Sequence, residues 1–209
     1  MLSHCLVIVA LGGPAFAWTD TLDRIAVTVG KEVITESQIM LDLEVAAFLD
    51  HKAVDLSAAA KRQSAERLVD QVLILREASD SHVTLPSTEA AKGLVAPYAS
   101  QSGYQAELKR YGISEADLAE HLLAGLRTLA FTNLRFRPDV VVSPEEVQGY
   151  YEKLIKQPAS AAATIPSLED SREQIEKILS EQKMLEALDQ WLVMARGAAR
   201  VQYREKVFQ

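Results

Sequence analysis

The sequence contains a single cysteine, Cys5, which lies in an apolar run close to the N-terminus. A disulfide within one chain needs two cysteines, and thiol redox motifs and cysteine-rich zinc sites need at least as many. The sequence therefore excludes an intrachain disulfide and any metal or redox site built from several thiolates.

Other residue types are also sparse. Aromatic residues make up 6% of the chain, and its 209 residues include nine glycines and seven prolines. This composition excludes collagen-like and low-complexity chains, while a hydrophobic fraction of 48% is sufficient for a packed core. The length suits one compact unit with at most two subdomains.

Basic clusters are missing as well. The chain has 22 basic and 29 acidic residues, for a net charge of -7, and its basic runs do not exceed pairs such as Lys61-Arg62 and Lys109-Arg110. An acidic surface without basic patches repels phosphate backbones. Nucleic acid is therefore not a predicted partner.

Motifs for metals, nucleotides and nucleophilic catalysis are absent from the sequence. Beyond the N-terminal segment the histidines are His51, His82 and His121, and no two form an HxxxH pair. Neither GxGxxG nor GxxxxGK[ST] occurs, so we predict no cofactor and no metal. His121 follows Glu120 and has the chemistry of a base, but no nucleophile motif accompanies it, which favours a residue on the polar face of a helix.

The N-terminal segment has features of an export signal. The apolar run from Cys5 to Leu11 precedes Ala15-Phe16-Ala17, a small-x-small cleavage pattern. We predict a signal peptide over residues 1–17, cleavage after Ala17 and a periplasmic location. Only His4 precedes the run where Lys or Arg is usual, so the true start of the chain stays open, and a buried N-terminal strand is the alternative. No later segment is long and apolar enough for a transmembrane helix.

A β-hairpin is predicted next. Apolar residues alternate from Ile25 to Val29, and Gly30-Lys31 separate them from the short stretch Glu32 to Ile34, a spacing typical of a two-residue turn with glycine first. Thr35 then precedes Gln38 at the spacing of a capping box, which predicts the start of a helix.

The rest of the chain is predicted to be mainly helical. Apolar periodicity and capping residues predict long helices over residues 56–79, 114–138 and 168–198, with shorter helices ending near Gly112 and starting at Ser143. The stretch 86–99, interrupted by Gly93 and Pro97, is the least regular. Alternating apolar residues from Val201 to Val207 predict a final strand whose evident partner is the N-terminal hairpin.

This pairing brings the two ends of the chain together. The predicted fold class is mainly α, with a small hairpin near the N-terminus paired with a C-terminal strand. Residues 18–209 then form one discontinuous module, with hairpin and helices over 18–156, a linker over 157–167, and a closing helix and strand over 168–209.

Five segments in this order resemble the SurA-like periplasmic chaperones, relatives of the parvulin-type peptidyl-prolyl isomerases. The segments are DRIAVTVGKEVITESQI, RLVDQVLILREA, YGISEADLAEHLLAGLRTLAFTNLRF, VVVSPEEVQGYYEKL and QIEKILSEQKMLEALDQWLVMARGAARVQY. The resemblance implies a helical module that holds unfolded client polypeptides in the cell envelope, with outer-membrane proteins among them.

The sequence departs from the enzymatic relatives at the linker. In those relatives a parvulin domain of about a hundred residues follows the fourth segment. Here only Gln157 to Ser167 intervene, which is too short for a sheet and a proline-binding pocket. The resemblance therefore implies a chaperone that lacks the parvulin domain and is not an enzyme.

The predicted function is an ATP-independent holdase that offers an apolar groove to extended polypeptides. The candidate client-binding residues are Met40, Leu43, Phe48, Leu94, Tyr98 and Tyr104. Each of them also suits the core. Two alternatives remain, an isomerase relative with residual activity and a non-catalytic envelope adaptor that binds one folded partner or self-associates through its groove.

Overall fold

The computed structural model describes residues 23–156 and 166–209. The predicted signal peptide and most of the predicted linker lie outside these residues. The described chain is mainly helical with a small antiparallel sheet, which confirms the predicted fold class. Its elements are β1 (Ile25–Val29), β2 (Glu32–Thr35), α1 (Glu36–Asp50), α2 (Ala58–Asp80), α3 (Thr88–Ala99), α4 (Tyr104–Tyr111), α5 (Glu115–Phe136), α6 (Pro144–Lys156), α7 (Leu168–Ala198) and β3 (Val201–Tyr203).

The sheet has the order β2-β1-β3, so the N-terminal hairpin pairs with the C-terminal strand as predicted. Val29 pairs with Glu32 across the two-residue turn, and Gly30 adopts a φ of 62° there. On the other edge of β1, Val27 pairs with Tyr203. Both ends of the described chain therefore meet in one sheet.

The predicted C-terminal strand is too long. It ends at Tyr203, and Glu205–Val207 form a turn of 3₁₀ helix instead. Val207 and Phe208 are both buried. Consecutive residues of a strand point to opposite faces of the sheet, so two neighbours can enter the same core only if the chain leaves the strand conformation.

Capping residues begin the helices where the sequence predicts them. The Thr35 amide donates to Gln38 Oε1 at 2.9 Å, and the Gln38 amide donates back to Thr35 Oγ1 at 3.4 Å. Ser114 and Asp117 form the same reciprocal pair at the start of α5. Because each box satisfies amides that have no partner within the helix, these starts are encoded locally.

The stretch 86–99 is more regular than predicted. Thr88–Ala99 form the continuous helix α3, although Gly93 and Pro97 lie within it. Pro97 stands in the last turn, where the missing amide removes only one backbone hydrogen bond near the end. Packing against α5 supplies the stabilisation that the local sequence lacks.

Two apolar clusters form the interior. The larger joins the sheet with α1, α2, α5 and α7 and contains Phe131, which is 1% exposed and lies 5.2 Å from the ring of Trp191. The smaller joins α1, α3, α4 and α5 around Phe48 and Leu118. Since α1 and α5 contribute to both clusters, these helices hold the two parts of the interior in fixed positions.

Candidate functional site

The structure places three of the six predicted client-binding residues inside the protein. Leu43 is 8% exposed in the larger cluster, while Phe48 and Tyr104 are 5% and 7% exposed in the smaller one. These side chains pack the core, and a client would reach them only after the helices separate. Met40, the fourth residue, is half-buried on α1.

Leu94 and Tyr98, the remaining two, lie side by side on an open groove. The groove runs between α3 and α5, encloses about 410 Å³ and is apolar along both walls. Its side-chain lining is Leu94, Pro97, Tyr98, Leu122, Leu126 and Leu129. Phe48, another of the predicted residues, lies near the groove, because its ring centroid is 6.3 Å from that of Tyr98. Tyr98 therefore connects the groove to the smaller cluster.

Helix periodicity explains how the groove is built. Leu122, Leu126 and Leu129 recur at helical spacing on α5, and Leu94 and Tyr98 are four residues apart on α3, so each set lies on one face. Gly93 and Gly125 also border the groove, and apart from the backbone of their own helices no atom lies within 4 Å of a methyl group placed on either. The groove therefore has free space beside both glycines.

The α5 residues of the groove were missed as binding residues in the sequence. An apolar stripe of this kind is typical of a helix whose face packs on a core. The sequence does not show which part of that face a neighbouring helix leaves uncovered. In the structure Leu129 is 59% exposed. Leu129 therefore presents apolar surface at the groove.

A buried polar cluster joins α1, α2 and α5. Asp42 is 5% exposed, and its Oδ2 accepts hydrogen bonds from Ser64 Oγ at 2.7 Å and Arg67 Nη2 at 2.5 Å. Its Oδ1 lies 3.4 Å from His121 Nδ1. Burial raises the pKa of Asp42, but interactions with His121, Ser64 and Arg67 outweigh it, so the pKa lies below its ordinary value.

His121, which the sequence assigns to the polar face of a helix, has a side chain that is 25% exposed and faces the buried carboxylate of Asp42. Asp42 was not predicted as a buried polar residue. The available signal was its position three residues after the apolar Ile39, which places the carboxylate on the same face of the helix. Ser64 and His121 both contact Asp42, whereas a hydrolase triad places the histidine between the acid and the nucleophile. The cluster connects three helices and does not have the order of such a triad.

Within residues 23–156 and 166–209, no three His, Cys, Asp or Glu side chains are grouped so that they could hold a metal ion. Among the helices of these same ranges, none has both the length and the apolar character to cross a membrane.

The chain was also compared with known proteins. The family resemblance from the sequence stays a prediction, because comparisons with protein-family models, with curated proteins and with solved structures found no match to this chain.

Proposed function

We propose that this protein is an ATP-independent periplasmic holdase that binds unfolded envelope proteins, with outer-membrane proteins among its clients. The observation that carries the proposal is the open apolar groove between α3 and α5. Leu94 and Tyr98, two of the residues proposed from the sequence, line it.

The chemistry of the groove suits clients of varied sequence. The side chains that line it on α3 and α5 are all aliphatic or aromatic, and the hydroxyl of Tyr98 is the single polar group among them. Apolar contact is non-directional and depends mainly on the area removed from water, so it does not select one sequence. Weak, sequence-tolerant contacts are what a holdase needs to bind and release an unfolded chain.

Leu129 is the best position at which to test the groove. It lines the groove and is 59% exposed, so a polar substitution there removes apolar surface and leaves the core intact. Leu134 lies on the same helix, is 57% exposed and is outside the groove lining. Leu129→Ser and Leu134→Ser therefore form a matched pair.

The experiment measures aggregation of a denatured β-barrel protein after dilution, without nucleotide. We expect the purified protein to suppress aggregation near a one-to-one ratio, Leu129→Ser to weaken suppression, and Leu134→Ser to retain it. Failure of the wild-type protein to suppress aggregation and to bind the client contradicts the proposal. Equal effects of the two substitutions place client binding outside the groove.

The same preparation distinguishes an adaptor from a holdase. An adaptor is expected to recover one folded partner at a fixed ratio from envelope extracts, whereas a holdase recovers a spectrum of unfolded chains. The periplasmic location is tested by fractionation and by the intact mass of the protein, which cleavage after Ala17 would reduce by residues 1–17.

A further inference from the structure

The groove between α3 and α5 has two different ends. The start of α3 lies beside the second half of α5, because Arg127 Nε donates to the Pro86 carbonyl oxygen at 3.0 Å. The end of α3 lies beside the first half of α5, since Tyr98 packs against the smaller cluster, which contains Leu118. The two helices are therefore antiparallel, and Leu129 is the last α5 residue of the groove on the side where α3 begins.

Hydrogen bonds hold a guanidinium group close to that end of the groove. Leu129, Asn133 and Arg137 follow one another at four-residue spacing, which places them on one face of α5, and Arg137 is the C-cap residue of that helix. Asn133 Nδ2 donates to the Leu129 carbonyl oxygen at 2.9 Å. Arg137 Nε and Nη2 donate to Asn133 Oδ1 at 3.0 and 2.6 Å. These bonds turn the Arg137 side chain back along α5, towards Leu129.

The guanidinium group of Arg137 keeps donors for a ligand. A guanidinium has five N–H groups, and Asn133 accepts from only two of its nitrogens, Nε and Nη2. Arg137 is exposed and forms no ion pair with the described residues, including Asp139 two positions further on. An oriented guanidinium with free N–H groups suits a carboxylate, which it can bind through two parallel hydrogen bonds.

The other charges around the groove give it a direction. Glu89 and Lys92, near the start of α3, pair with each other at 2.8 Å and so neutralise one another. Glu115 lies two turns before Leu122 on α5, at the end of the groove opposite Arg137. The apolar lining therefore lies between a negative charge at one end and a positive charge at the other, which favours a ligand whose own negative charge lies at the Arg137 end.

We propose that the groove binds an extended polypeptide segment in which an Asp or Glu side chain follows apolar residues, and that Arg137 binds the carboxylate. This specificity rests on the proposed holdase function and adds a charge preference to its apolar contacts. From Leu122 to Leu129, α5 rises by about 10 Å, which is the length of about three extended residues. The segment is internal to its chain, because two helix faces form the groove and do not enclose a chain end.

The test compares two fluorescent peptides by anisotropy on the purified protein. Both are acetylated and amidated and contain the same leucines and tyrosines, followed by glutamate in one and glutamine in the other. We expect the glutamate peptide to bind about fivefold more tightly, as one exposed bidentate charge pair implies. The difference should shrink as the salt concentration rises, because salt screens exposed charges. Equal affinities at low salt, or tighter binding of the glutamine peptide, overturn the proposal.

A charge reversal localises the carboxylate. Arg137→Glu should reverse the preference, so that a peptide with lysine in place of the glutamate binds more tightly than the glutamate peptide. Arg135→Glu is the matched control, because it changes the net charge equally on another face of α5, where the Arg135 guanidinium carbon lies 5.5 Å from the centroid of the Phe136 ring. Arg135→Glu should keep the wild-type preference. Equal effects of the two reversals would assign the preference to overall charge and overturn the proposal.

A third peptide separates an internal segment from a chain end. It has a free C-terminal carboxylate directly after the apolar residues and no acidic side chain. Tighter binding of this peptide than of the glutamate peptide would assign Arg137 to chain ends and overturn the internal segment. Suppression of aggregation with equal binding of the glutamate and glutamine peptides contradicts this inference alone. Discrimination that depends on Arg137, without suppression of aggregation, contradicts the holdase alone.

Discussion

The guanidinium group of Arg196 binds both carboxylate oxygens of Asp70, with Nε–Oδ1 and Nη2–Oδ2 distances of 2.8 and 2.6 Å. The two residues are 126 positions apart in the chain, and their side chains are 35% and 22% exposed. This bidentate pair fixes the end of α7 against the middle of α2, directly before the chain enters β3. It therefore holds the closing segment of the fold in register.

The first prediction concerns this pair. We expect Arg196→Ala to lower the free energy of unfolding by about 1–2 kcal/mol, because a partly buried bidentate pair lies between exposed and fully buried pairs in strength. A double-mutant cycle with Asp70→Asn should give a coupling energy of about 1 kcal/mol in urea denaturation. Arg172→Ala is the control, since Arg172 forms an exposed pair with Glu176 at 3.9 Å. A coupling energy indistinguishable from zero would contradict the role given to Arg196.

The second prediction concerns the hairpin turn. Gly30 has a φ of 62°, and a methyl group placed on it would meet its nearest atom, in Arg76, at 3.6 Å, which is an ordinary contact. The left-handed backbone conformation, and not steric crowding, therefore restricts which residues Gly30 can be replaced by. We expect Gly30→Ala to lower the free energy of unfolding by about 1–2 kcal/mol.

A glycine within a helix provides the control for the turn. Gly149 lies in α6, and apart from the backbone of that helix no atom is within 4 Å of a methyl group placed on it. Gly149→Ala should therefore leave the melting temperature unchanged or raise it, because alanine favours helix by about 1 kcal/mol. Thermal unfolding of both variants checks this, and a neutral Gly30→Ala would show that the turn tolerates a side chain.

The third prediction concerns pH. The pKa of Asp42 is lowered in the folded protein: burial raises it, but interactions with His121, Ser64 and Arg67 outweigh the burial. A carboxylate with a lowered pKa stabilises the fold at pH values above its unfolded pKa of about 3.9, and the contribution is lost as the pH falls through the folded pKa. Wild type should therefore exceed Asp42→Asn in stability at neutral pH, and the difference should shrink below about pH 4.

Urea denaturation of both proteins between neutral and acidic pH, at constant ionic strength, measures this difference. A gap between the two midpoints that stays constant into the acid range would mean that the ionised carboxylate of Asp42 contributes nothing specific to the fold.

The fourth prediction concerns the C-terminal turn. Phe208 is 7% exposed, and its ring lies 6.0 Å from that of Tyr203 and 5.4 Å from the guanidinium carbon of Arg62. Phe208→Ala should lower the free energy of unfolding by about 3 kcal/mol, since it leaves a cavity in the larger cluster. The adjacent Gln209 is exposed, so Gln209→Ala should have no measurable effect in the same denaturation experiment. Equal stability of the two variants would show that the turn after β3 adds nothing to the core.

Among the elements of the fold, the sequence determined those whose hydrogen bonds form between near neighbours. Thr35 with Gln38, Ser114 with Asp117, and the Gly30-Lys31 turn each satisfy backbone groups or set a conformation within three or four positions. Their positions were therefore readable without any knowledge of the packing. Apolar periodicity added the long helices in the same way, because a stripe depends only on spacing along one element.

Only the tertiary structure decided which apolar and polar residues are buried. Leu129 belongs to the same stripe of α5 as Leu122, yet Leu129 is 59% exposed whereas Leu122 is half-buried. Asp42 is buried because Ser64 and Arg67 of α2 and His121 of α5 pack around its carboxylate. Burial depends on groups distant in the chain, and a single sequence carries no local signal for which distant groups will meet.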